Sequence, residues 1–284
     1  MRLQNYLIAF AIITFSAGLT SCKKNNTGSS SNSEIQTTTE LSTDQAVSDN
    51  LNADAENVMT EAAVDNNFSG STPVGVTTTM NLLSCASVTV SSGAFPKTIV
   101  IDFGTGTGCT PTDGVIRSGK INITLSDSLR KSGSVAVMTF DNYYVSSFKK
   151  EGTITWTNTS QNGIKSWERK CENGKITAPD GHFWLHSGTQ DVAQTAGSDT
   201  PLNLLDDVFS YTGSATVTNS SGASRTATIL TALEKKVLCA NIDKGTIKVQ
   251  GPNHYATLDY GDGTCDRLAT VSIDGGTGIT ILLR

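Results

Sequence analysis

The run Lys120-Ile121-Asn122-Ile123-Thr124-Leu125 alternates apolar with polar side chains. That period of two belongs to a strand with one buried face, because successive side chains leave a strand on opposite sides. Similar runs rich in Val, Ile, Thr, Tyr and Phe recur at 98–103, 134–141, 152–158, 174–177, 213–218, 224–231, 245–249, 255–260, 269–273 and 279–283. Between them stand the turn dipeptides Asn162-Gly163, Asn173-Gly174, Asp180-Gly181 and Asp274-Gly275, which suit tight hairpins rather than crossover helices. The expectation is an all-β domain over residues 82–284, built as an antiparallel sandwich or extended meander. Two stacked subdomains are the other arrangement this length allows.

Two stretches echo each other. Cys85 leads through two strands into Asp102-Phe103-Gly104-Thr105-Gly106 and then Cys109, and Cys239 leads through two strands into Asp259-Tyr260-Gly261-Asp262-Gly263 and then Cys265. This is an internal two-fold repeat of Cys, hairpin, Asp-aromatic-Gly turn and Cys. In an oxidising compartment such spacing argues for disulfides, each worth roughly 3 kcal/mol through loop closure. Four cysteines allow three connectivities, and the echo selects Cys85 with Cys109 and Cys239 with Cys265. Cys171 is left over and is expected as a buried thiol.

The compartment is read from the other end of the chain. Arg2, an apolar stretch from Tyr6 to Phe15 and the residues Leu19-Thr20-Ser21-Cys22 form the three parts of a secretory signal. The apolar stretch is shorter than the roughly 20 residues a membrane span needs. The pattern resembles a bacterial lipoprotein signal, which implies cleavage after residue 21 and acyl chains on Cys22. Lys23 and Lys24 follow with no Asp next to the Cys, resembling lipoproteins passed to the outer membrane, facing either the periplasm or the exterior. The membrane is thus the first expected partner, through lipid on Cys22.

Residues 22–41 are rich in Ser, Thr and Asn and read as a disordered tether, because so little apolar surface cannot offset the cost of ordering. Residues 42–66 carry Val47, Leu51, Ala55, Val58 and Ala62 at helical period behind a Ser42/Gln45 capping box. A short amphipathic helix is expected there, its thin, Ala-rich stripe lying loosely on the domain or meeting a partner. Residues 67–81 read as a linker.

The Asp-aromatic-Gly-x-Gly turns resemble those of polycystic-kidney-disease-type immunoglobulin-like modules, which serve as extracellular spacers and adhesive domains. More broadly, the lipobox with its acidic stalk, Ile101 to Cys109, Asp113 to Lys120, Thr139 to Val145 and Leu258 to Asp266 resemble a group of uncharacterised Bacteroidota outer-membrane-type lipoproteins. That resemblance spans most of the mature chain and implies an all-β envelope protein of no assigned activity.

Charge and motif content narrow the function. Eight acidic residues face two lysines between Lys23 and Met80, and no basic stripe is present for phosphate, so nucleic acid is not an expected partner. No Gly-x-Ser-x-Gly elbow or phosphate-loop Lys-Ser/Thr follows any strand, and the chain is read as a non-enzyme without a cofactor. Asp259, Asp262 and Asp266 could offer oxygens to calcium, although Asp is also a default turn residue. His182 and His186 share one strand face but lack a third donor of matching spacing for zinc. Trp156, Trp167 and Trp184 are candidate ligand-contact aromatics, stacking on sugar rings if exposed and packing the core if not. The function expected is a lipid-anchored, non-catalytic structural or interaction module, with a carbohydrate-binding accessory protein or a calcium-stabilised adhesin as alternatives.

Overall fold

A computed structural model describes residues 27–70 and 77–283. One helix, α1 (Thr27–Asp65), precedes thirteen strands: β1 (Ser87–Val90), β2 (Lys97–Asp102), β3 (Arg117–Leu125), β4 (Val135–Val145), β5 (Phe148–Asn158), β6 (Ser166–Thr177), β7 (Phe183–Ala196), β8 (Val208–Asn219), β9 (Ser224–Lys236), β10 (Lys244–Gln250), β11 (Tyr255–Asp262), β12 (Leu268–Ile273) and β13 (Ile279–Leu282). All thirteen form one antiparallel sheet in chain order. Of the expected arrangements the meander is the one adopted, and a single apolar cluster runs from Leu41 on the helix to Leu283.

The helix is the axis of this sheet, which corrects its expected extent and role. It starts at Thr27, inside the segment read as tether, and from Leu41 to Val64 nearly every side chain is buried, polar and apolar alike. Ser42 does not cap it. Its Oγ donates to the Thr38 carbonyl at 2.6 Å and Ser48 does the same to Asp44 at 2.9 Å, the back-bonding that lets hydroxyl residues sit within a helix. The Ser-, Thr- and Asn-rich composition that suggests disorder reflects a helix whose polar groups find partners on the sheet. The helix stops at a Schellman cap: Asn67 takes φ 60°, its N–H donates to the Val64 carbonyl at 3.1 Å, and that of Phe68 donates to the Ala63 carbonyl at 2.6 Å.

The sheet advances along the helix as it winds around it. The β10–β11 turn meets the helix at Glu34, the start of β9 at Thr38, the β6–β7 turn at Asp44, β5 at Asn52 and the start of β3 at Asp54. From Glu34 to Asp54 is about 30 Å at the helical rise. Bulges make the curvature possible: register shifts fall at Ser118/Lys120, Glu151/Thr153, Tyr211/Ser214 and Lys244/Thr246, each beside a glycine. Gly119 has φ +80°, and a Cβ there would lie 2.0 Å from the Asn142 carbonyl oxygen. Asn173-Gly174, expected as a turn, is likewise a bulge inside β6, whereas Asn162-Gly163 and Asp274-Gly275 close hairpins with both residues at positive φ.

Both expected disulfides are formed, with Cα separations of 5.7 Å for Cys85–Cys109 and 5.2 Å for Cys239–Cys265. The sequence echo is an echo of structure. Asp102 and Asp259 each accept the N–H of the glycine two residues on, at 2.8 and 2.9 Å, and Phe103 and Tyr260 are both buried. Cys171 is free and buried.

Candidate functional site

Inside the winding, acidic groups of the helix meet basic and hydroxyl groups of the inward strand faces. Arg169 on β6 pairs with Glu56 and lies 3.9 Å from Asp49. The Tyr211 hydroxyl donates to Glu56 at 2.9 Å, and that of Tyr260 to Asp49 at 3.4 Å. Lys150 on β5 donates to the Asn52 side chain at 2.6 Å, and Trp184 to the Ser48 hydroxyl at 2.9 Å. Burial pushes the Asp49 and Glu56 carboxyls up against the pull of Arg169, and pushes the Lys150 ammonium down to about 8. These pairs fix the helix in register with the sheet.

Cys171 Sγ stands 3.5 Å from His186 Nδ1. Burial raises the thiol and lowers the imidazole well below its usual value. Both shifts favour the uncharged forms, the opposite of a thiolate–imidazolium nucleophile.

The three tryptophans do not form an exposed platform. Trp156, Trp167 and Trp184 occupy inward positions of β5, β6 and β7 and are at most 5 % exposed. Trp156 and Trp167 meet edge to face at 6.1 Å, and Trp167 meets Phe209 at 6.2 Å. These rings wall a narrow recess against Met59 and Thr60 of the helix. Trp167 Nε1 donates to the Leu129 carbonyl at 3.2 Å, whereas Trp156 Nε1 has no partner among the described residues.

Asp259, Asp262 and Asp266 also fail to converge. Each carboxylate accepts a backbone N–H two residues on, at 2.9, 3.2 and 3.0 Å, so each closes its own turn. Among the described residues they form no metal-holding group. Cys22, expected from the sequence as the lipidation residue, lies outside the described residues.

Three other surface features lie among the described residues. A cleft opens where the start of the sheet meets the β9–β10 connection, with Asp54, Asp113 and the buried Arg117 on one wall and Val237 to Ala240 on the other. Arg117 is paired with both carboxylates. A shallow groove elsewhere is lined by Thr107, Ile116, Ser118, Asn142, Tyr144 and Ser147, with Ile116 and Tyr144 as its exposed large hydrophobic side chains. At the β6–β7 turn, His182 Nε2 lies 3.2 and 3.3 Å from the two Asp44 carboxylate oxygens, and Nδ1 lies 3.8 Å from Glu40. Burial pushes the Asp44 carboxyl up to about 6 despite His182.

No protein-family model, curated protein or solved structure matches the chain. Among the described residues, no helix is long and apolar enough to cross a membrane.

Proposed function

We propose that this chain is a lipoprotein of the bacterial envelope, anchored at the outer membrane through Cys22, whose β domain is a non-catalytic structural or interaction module. The observation that carries this reading is the continuity between the lipobox and the molecular axis. Helix α1 is described from Thr27, five residues after Cys22, and is the element around which the sheet is wound. Force or position imposed at the lipid is therefore delivered to the core of the domain and not to a peripheral segment. Five residues reach at most about 18 Å, so the β10–β11 turn, which grips the helix at Glu34, stands near the lipid surface.

Cys22→Ala tests the anchor. The wild-type chain is expected in the detergent phase of a cloud-point separation and the variant in the aqueous phase; a variant still found with detergent contradicts lipidation at Cys22. Protease shaving of intact cells then separates a surface-facing domain from a periplasmic one.

A carbohydrate-binding role is the second reading, moved from the tryptophans to the groove beside Tyr144. An exposed aromatic ring flanked by hydroxyl and amide groups suits a sugar, which presents an apolar face and polar rim. Tyr144→Ala is expected to abolish retention on an immobilised envelope glycan that the wild type binds; equal retention removes this reading.

A further inference from the structure

We infer that Glu40, Asp44 and His182 form a binding site for a divalent transition-metal ion of the zinc class, which clasps helix α1 to the β6–β7 turn. Glu40 and Asp44 are four residues apart and therefore share a helix face. His182 is brought to that face from 138 residues away, and its turn is set by its own N–H donating to Asp180 Oδ1 at 3.0 Å. One donor atom from each of the three residues lies within 4.8 Å of the others.

The spacing fits a metal. Two ligands bound at about 2.0–2.1 Å in tetrahedral geometry stand roughly 3.3–3.4 Å apart, and His182 Nε2 stands 3.2 and 3.3 Å from the Asp44 oxygens. An ion can therefore replace the hydrogen bond between them without moving the backbone. Asp44 is 9 % exposed and fixed, His182 is 30 % exposed, and Glu40 at 41 % is free to swing inward. The solvent side is left for water as fourth ligand, the arrangement of an open zinc site. One imidazole with two carboxylates selects zinc and its transition-metal neighbours over calcium and magnesium, which prefer oxygen alone.

The test uses the purified full-length chain in detergent, stripped with chelator and titrated with Zn2+ by calorimetry. One Zn2+ per chain is expected, with affinity falling at least tenfold in His182→Ala and in Glu40→Gln. The Glu40 side chain is 41 % exposed, so its variant separates loss of a ligand from loss of fold. Cu2+ supplies a second readout: Trp184 lies 5.3 Å from His182, and its fluorescence is expected to be quenched by Cu2+ in the wild type and not in His182→Ala. Equal Zn2+ affinity in all three proteins overturns the site, as does failure of the wild type to bind at one-to-one stoichiometry.

Discussion

Arg169 on β6 and Glu56 on α1, 113 residues apart in the chain, form an ion pair inside the wound sheet, with side chains only 4 % and 6 % exposed. Asp49 stands within 3.9 Å of the same guanidinium, so one cation answers two buried carboxylates. Removing one partner of such a group costs roughly 3–5 kcal/mol, because the remaining charge stays buried without compensation. Arg169→Met is accordingly expected to lose at least about that much stability in urea unfolding at pH 8. The loss should shrink as the pH is lowered, because Asp49 and Glu56, already raised by burial, take up protons the more readily without the guanidinium beside them. A loss below about 1 kcal/mol at pH 8 would show that the network does not hold the helix in place.

The position of α1 predicts what its removal does. A helix lying on the outside of a sheet could be deleted with modest effect. Here Leu41, Leu51, Val58 and Met59 belong to the same apolar cluster as Ile99, Ile121 and Val249, so a chain beginning after residue 66 is expected to lose cooperative unfolding and dispersed amide resonances together. A truncated chain that melts cooperatively would return the helix to the periphery.

The same burial explains what was legible in the sequence. β3, β10 and β11 face apolar parts of the interior, and their alternation of Ile, Val and Leu with polar residues announces them. β7, the longest strand at 14 residues, carries Trp184, His186, Gln190, Val192 and Gln194 inward, and its pattern is hidden because its inner face meets a polar helix. The first half of β6, with Trp167 and Arg169 inward, is hidden in the same way. The helix suffers the converse: Asp44, Asp49, Asn52 and Glu56 look like a solvated face until Arg169, Lys150 and His182 are placed opposite them. The cysteine pairing was legible because each bridge brackets one local hairpin. The Glu40, Asp44 and His182 cluster was not, since its members join only through the winding of the sheet.

Asp207 gives the interior a signature in pH. It is 1 % exposed, and burial pushes its carboxyl up to about 7 while Arg130, 3.9 Å away, pulls it down. Below about pH 4 both folded and unfolded chains are protonated there. Between about 4 and 7 the unfolded chain ionises while the folded one holds its proton, so stability falls as pH rises, by on the order of 4 kcal/mol in all. Asp207→Asn keeps an acceptor for the Gln194 amide, which donates to Oδ1 at 2.7 Å, and removes the titration. Its stability relative to wild type is expected to rise steadily across that window; parallel pH profiles would contradict the assignment.

Lys150 has the opposite sign. Its ammonium is buried, bonded to Asn52 and placed 5.0 Å from the centre of the Phe140 ring, and its pKa is down at about 8. The folded chain releases this proton before the unfolded one does, so this contribution to stability grows as pH rises from about 8 toward 10.5. Lys150→Met abolishes that gain but leaves the Asn52 side-chain oxygen without its donor, at a cost of about 1–3 kcal/mol. Adding Asn52→Leu removes the orphaned acceptor, and the double variant is expected to be more stable than Lys150→Met alone by about that amount. A double-mutant cycle in urea at pH 7 measures the coupling. Simple additivity would mean that Lys150 and Asn52 do not act as a pair.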